Sequence, residues 1–297
     1  MAKLQSSFVV VVVLLLPMAL SCSNRQTALD SYNRGVEASE GGNYDLAITC
    51  FTEAIRLDPN LAMAYANRGW AYMQKGEFDK AIADCTEAIR LDPDLAVAYN
   101  NRGWAYMQKG DFNKAIADFH EAIRLDPTVS MARLGRGVSY GVTGDYDRAI
   151  HDLSEAIRLD PASGKAYSER GAVYKEISDY DRAIADCTEA IRLNPTNAIA
   201  YTNRGNAHDD KGDFDKAIAD HTEAIRLDPN SGPVYNNRAV TYNKKGEFAK
   251  AIADFSVAIR LAPDLPQPYL GRAAAYRALG NEEKAAEDER KAQDLMK

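Results

Sequence analysis

Few side chains in this 297-residue chain are suited to chemistry: four histidines, four cysteines and two tryptophans stand out. His208 and His221 come first, because imidazole binds zinc and titrates near neutral pH. A metal site needs several converging ligands and partners that orient them. Cys187 falls one repeat earlier, but no Cys-X-X-Cys pair, His-Glu-X-X-His sequence or Gly-rich phosphate loop accompanies the histidines. The preferred reading is a structural polar pair, with no metal ligand and no cofactor. The alternatives are a metal site or a pH-sensitive weak point. His120 and His151 fall on outward faces and call for no special role.

The second chemistry is ionic. Arg34, Arg68, Arg102, Arg136, Arg170, Arg204, Arg238 and Arg272 recur at one position, and Asp84, Asp118, Asp152, Asp186, Asp220, Asp254 and Asp288 at another. A row of Arg could hold anionic ligands. An Asp in nearly every unit favours half-buried Arg–Asp contacts between helices instead. Removing one partner of such a pair costs more than the pair is worth.

The elements that position these residues follow from self-similarity. Ala64–Pro93 (AYANRGWAYMQKGEFDKAIADCTEAIRLDP) is nearly repeated as Ala98–Pro127, 34 residues later, and Pro59, Pro93, Pro127, Pro161, Pro195, Pro229 and Pro263 keep that interval. In the second unit a first helix runs from about Ala64 to Lys75 and is ended by Gly76. A second helix opens on Glu77 and Asp79, where negative charge suits the dipole, and stops at Asp92-Pro93. Ala81, Ile82, Cys85, Ala88, Ile89 and Leu91 point inward. Gly69 with Ala81 and Ala88, and their equivalents along the chain, set how closely the helices approach.

Gly, Ala, aromatic, Ala and Pro in this register resemble the tetratricopeptide repeat, over about residues 28–297. The resemblance implies an all-α, right-handed superhelical solenoid of antiparallel helix pairs. The units are 28–61, 62–95, 96–129, 130–163, 164–197, 198–231, 232–265 and 266–297, the last closed by a polar capping helix. In that family the first helices line a groove. Placed there, Met63, Trp70, Met73, Gln74, Val97, Asn100, Trp104, Met107, Gln108, Met131, Leu134 and Val138 form an apolar strip for a partner, and the later groove is polar. The two Trp residues also admit a plainer reading as shared packing residues. The carboxylate clamp of some members is not expected, since Ala66 with Trp70 and Asn100 with Trp104 lack the required Lys.

Net charge is −7 and the sequence contains no basic run, which argues against nucleic acid. Phe8–Leu16 is an apolar run too short to span a bilayer comfortably and suited to a signal peptide covering residues 1–21. Ala19-Leu20-Ser21-Cys22 resembles a lipoprotein lipobox, with Leu20 two residues before Cys22 rather than three. Lipidation of Cys22, ordinary cleavage and an uncleaved anchor are the readings in order of preference, with residues 22–27 as a short tether. Cys50, Cys85 and Cys187 suit small core positions. Together these features predict a non-enzymatic scaffold that binds other proteins or peptides. It would be held at the bacterial envelope, on the outer membrane or cell surface, through the lipid on Cys22. A secreted or periplasmic soluble scaffold is the alternative, and a metal- or pH-sensitive regulator centred on His208 and His221 a more remote one.

Overall fold

Helix-favouring Ala, Leu, Glu and Arg, punctuated by Gly and Asp-Pro, fold here into helices alone among the described residues. A computed structural model describes residues 22–297, with side chains from Arg25 onward. The signal-peptide segment 1–21 and the Cys22 side chain lie outside the described residues. Sixteen α-helices follow in pairs: α1 (Cys22–Glu40) and α2 (Tyr44–Leu57), α3 (Ala62–Gln74) and α4 (Phe78–Leu91), α5 (Ala96–Gln108) and α6 (Phe112–Leu125), α7 (Ser130–Thr143) and α8 (Tyr146–Leu159), α9 (Gly164–Glu176) and α10 (Tyr180–Leu193), α11 (Ala198–Lys211) and α12 (Phe214–Leu227), α13 (Gly232–Lys244) and α14 (Phe248–Leu261), and α15 (Pro266–Ala278) and α16 (Glu282–Leu295). Residues 22–27, expected as a tether, are the opening turns of α1. Helix rises about 1.5 Å per residue against about 3.4 Å when extended, which shortens their reach by more than half.

Local chemistry ends each helix. Gly76 closes the first helix of its repeat at φ +76°, in the left-handed region that glycine enters without steric cost. Ser178 holds the equivalent position at φ +62°, and among the described residues it is the one non-glycine with positive φ. At the far end of α4 the Asp92 N–H returns to the Ala88 carbonyl, while its Oδ1 accepts the Asp94 N–H at 3.1 Å. That Asx turn carries the chain past Pro93. Asp58, Asp126, Asp160, Asn194 and Asp228 do the same.

Contacts divide the chain into two units, one up to Asn101 and one from Arg102 onward. In the first, Ala38, Ala47 and Phe51 pack with Ala71 of the next repeat, and Ala66 and Ala88 with Ala98. In the second, Tyr174 and Ala183 pack with Ala207, and Ala239, Ala251 and Phe255 with Ala275. Each cluster draws on two repeats, so a repeat completes its core on its neighbour. Small residues make the approach possible: a Cβ on Gly137 would stand 2.8 Å from Leu153 Cγ and 3.2 Å from its backbone nitrogen. In the second unit the first helices α7, α9, α11, α13 and α15 touch in succession.

Candidate functional site

The recurrent Arg and Asp meet as their spacing predicts. Arg68–Asp84, Arg102–Asp118, Arg136–Asp152, Arg170–Asp186, Arg204–Asp220, Arg238–Asp254 and Arg272–Asp288 are all ion pairs within one repeat. In Arg170 the Nε donates to Asp186 Oδ2 at 2.7 Å and Nη2 to Oδ1 at 2.8 Å. Its Nη1 donates to Ser154 Oγ of the preceding repeat at 2.9 Å, and the Tyr167 and Tyr174 rings flank the guanidinium. A guanidinium engaged along both edges and covered on its faces is not available to an anionic ligand. In the first repeat Cys50 stands where the Asp would be, and Arg34 is exposed. His120 is exposed, as expected, but it takes the place of the bridging hydroxyl: its Nδ1 lies 3.3 Å from Arg136 Nη1. Sequence reasoning missed this backward bridge, although Thr52, Thr188 and Thr222 recur at the same position.

The histidines sit in apolar slots. His221 is fully buried, and a Cβ on Gly205 would stand 2.7 Å from its Cε1. Neither ring nitrogen has a partner. Burial pushes its pKa down to about 4, against the opposing pull of Asp209 and Asp220 and with Arg238 adding to the depression. His208 is also buried, its Nδ1 3.5 Å from Asp213 Oδ2, beyond a good hydrogen bond, and burial lowers its pKa as well. Among the described residues no group of three or more His, Cys, Asp or Glu is arranged to hold a metal. Two neutral imidazoles act as packing residues, His208 in a slot that is Tyr in six other repeats and His221 in one that is Phe, Cys or Leu in most of them. The thiols of Cys50, Cys85 and Cys187 are buried too, and burial first, then the nearby Asp186, pushes that of Cys187 up to about 12.

The strip proposed for a partner is only partly open. In the first unit Met63, Trp70, Met73, Val97 and Asn100 are half-buried and Gln74 is exposed. Trp70 meets Tyr44 edge-on at 5.5 Å and borders a cavity of about 20 Å³, room for one water rather than a ligand side chain. In the second unit Met107 and Val138 are half-buried, and Gln108 and Met131 are exposed. Trp104 and Leu134 depart from the expectation. Trp104 is only 7% exposed, packed edge-on against Phe119 at 5.6 Å, with the Lys165 ammonium 4.8 Å over its ring. It is a packing residue. Leu134 is 2% exposed because its position faces the following repeat, as Ala66 does when it packs on Ala98. In the last described repeat the same position, Leu270, is 42% exposed.

The polar end of the row is largely self-satisfied. Asn237 donates to Asn206 Oδ1 at 3.1 Å, Asn203 to the Ser168 carbonyl at 3.3 Å, and Lys244 pairs with Asp209. Exposed apolar surface on the first helices of the second unit is therefore concentrated in Met131 and Ile199, 43% and 63% exposed, together with Leu270 and, at the end of α7, Val142.

Residues 62–95, 96–129, 164–197 and 198–231 match a family model described as Tetratricopeptide repeat. Residues 132–163 and 222–253 match further models of that description, and 39–76 one described as TPR repeat. None of the curated proteins matches the chain. Among solved structures it is similar to the APC/C hetero-tetramer Cut9–Hcn1, with a TM-score of 0.70 and 18% identity over 91% of this chain and 51% of that one. The chain thus spans about half the length of that relative. It is also similar to a tetratricopeptide repeat protein from Parabacteroides merdae, with a TM-score of 0.63 and 19% identity over 90% and 99% of the two chains. For PilW, a type IV pilus biogenesis factor, the TM-score is 0.63 and the identity 23%, over 67% and 93%. At these identities the likeness is one of fold.

Proposed function

Because this chain belongs to the tetratricopeptide repeat family, whose arrays serve as protein-interaction scaffolds, we propose that it is a non-enzymatic adaptor. It binds a peptide or helix along its first helices and is held at the bacterial envelope by a lipid on Cys22. The observation that carries the binding face is the contiguous row α7, α9, α11, α13 and α15, on which Met131 and Ile199 stay exposed at one shared repeat position. Exposed large apolar side chains on an ordered wall are what a partner's own apolar side would cover. The anchor rests on the sequence Ala19-Leu20-Ser21-Cys22 behind an apolar run.

Two measurements test the two halves. Capture of partners from native envelope should lose a specific band with Met131→Ser/Ile199→Ser at unchanged thermal stability, and undiminished capture would remove the binding face. Mass spectrometry of the N-terminal peptide should find an acylated Cys22. An unmodified peptide would leave a soluble, secreted scaffold.

A further inference from the structure

Two lysines of the second unit reach backward between repeats to a carboxylate thirty positions earlier: Lys211 to Asp181 at 2.5 Å and Lys245 to Asp215 at 2.6 Å. The first unit has the same pair, Lys75 with Asp45 at 2.5 Å. Elsewhere in the second unit the two positions are exchanged together, to Asn113 with Thr143 and to Ala249 with Leu279. Asp147 with Ile177 is the exception: the carboxylate is kept while the lysine has become an apolar residue. Asp147 is exposed, and among the described residues it has no ion-pair partner.

Three further features meet at this place. Ile177 is 41% exposed at the end of α9, and Val142 is 59% exposed at the end of α7. The two helix ends lie side by side, since a Cβ on Gly141 would stand 3.2 Å from Val173 Cγ2, one turn before Ile177. The next residue, Ser178, holds the left-handed conformation that glycine holds in every other repeat. A turn that keeps a strained residue and an uncovered apolar side chain, each against the local rule, marks a place where something other than folding sets the sequence.

We infer that the turn edge of the fourth and fifth repeats is a docking surface for a protein segment that sets an apolar side chain beside a Lys or Arg. The apolar side chain covers Ile177 and Val142, and the cation takes the place beside Asp147 that a lysine fills at the two following interfaces. Charge complementarity selects this occupant, because an apolar segment with an acidic neighbour would meet Asp147 unfavourably. The surface adjoins the first-helix face, since Val142 lies on α7 in the position that Gln74 and Gln108 hold in earlier repeats, and the two are told apart by variants that touch only one of them.

The test uses an array of synthetic 12-residue peptides carrying Leu-Lys or Leu-Arg pairs, with Leu-Glu and Ser-Lys controls, probed with the full chain. Binding should favour the Leu-Lys and Leu-Arg peptides over both controls. It should fall at least tenfold with Ile177→Lys, which rebuilds the ion pair of the two following interfaces, and with Asp147→Asn. Met131→Ser/Ile199→Ser should leave it unchanged. Equal binding by wild type and Ile177→Lys, or no preference over Leu-Glu, overturns the proposal. So does a monomer–dimer equilibrium in sedimentation that Ile177→Lys abolishes, since the occupant would then be a second copy of the chain. Circular dichroism of Ile177→Lys confirms that a loss is not unfolding.

Discussion

Asp152 lies buried beneath Arg136, accepting from Nε at 2.6 Å and from Nη2 at 2.9 Å. Replacing Asp152 by Ala leaves a half-buried guanidinium without its counter-charge, a loss of roughly 3 kcal/mol for buried pairs. Exchanging both residues, Arg136→Met with Asp152→Leu, should restore much of it. Urea unfolding followed by circular dichroism separates the two, with the single variant the less stable. Equal stability of the single and double variants would count against a buried pair.

His221→Phe should stabilise the chain, since Phe51, Phe119 and Phe255 fill the same slot and both nitrogens of His221 are unpartnered. The pH dependence has a definite sign. The folded state holds this group at about 4, below the usual 6.5, so the unfolded state takes up its proton first. Stability is thus lost as pH falls from about 6.5 to about 4, by up to roughly 3 kcal/mol, and burial of His208 acts in the same direction. Melting temperatures from pH 7.5 to 4.5 should fall less steeply in His221→Phe than in the wild type.

Gly137→Ala should cost about 1–3 kcal/mol, as overpacking does. The added methyl meets Leu153 at its backbone nitrogen as well as its side chain, and a main-chain atom cannot rotate away. Thermal unfolding gives the readout, and an unchanged midpoint would mean the helices part at no cost.

Ser178→Gly should raise stability by about 1 kcal/mol, the cost of a left-handed residue bearing a Cβ. A lower midpoint in the glycine variant would show that the serine is held there by something other than strain.

The Cys187 thiol, pushed up to about 12 and out of contact with solvent, should resist iodoacetamide at pH 8 in the folded chain and react only after unfolding. Peptide mapping after alkylation reads this directly, and modification under native conditions would contradict its burial.

What a single repeat determines was legible in the sequence. The period, the helix ends and the Arg–Asp pairs rest on spacings inside 34 residues, and each appeared where expected. What failed depends on a neighbour. Leu134 looked like groove because its helix face is right, but that position is covered by the following repeat. Trp104 looked open until Lys165, two repeats on, was found over its ring. Ile177 carried a signal that comparison with Lys211 and Lys245 reveals, yet its meaning needed the Lys–Asp distances between repeats.

Each Arg–Asp clasp is closed within its own helix pair, sixteen residues apart, and only the far end of the bridge, a Ser or Thr hydroxyl or at Arg136 the His120 imidazole, belongs to the unit before. An array assembled this way can be shortened, duplicated or spliced at any Asp-Pro turn without leaving a charge stranded in the interior. That property would let near-identical copies such as 62–95 and 96–129 stand next to each other and still fold.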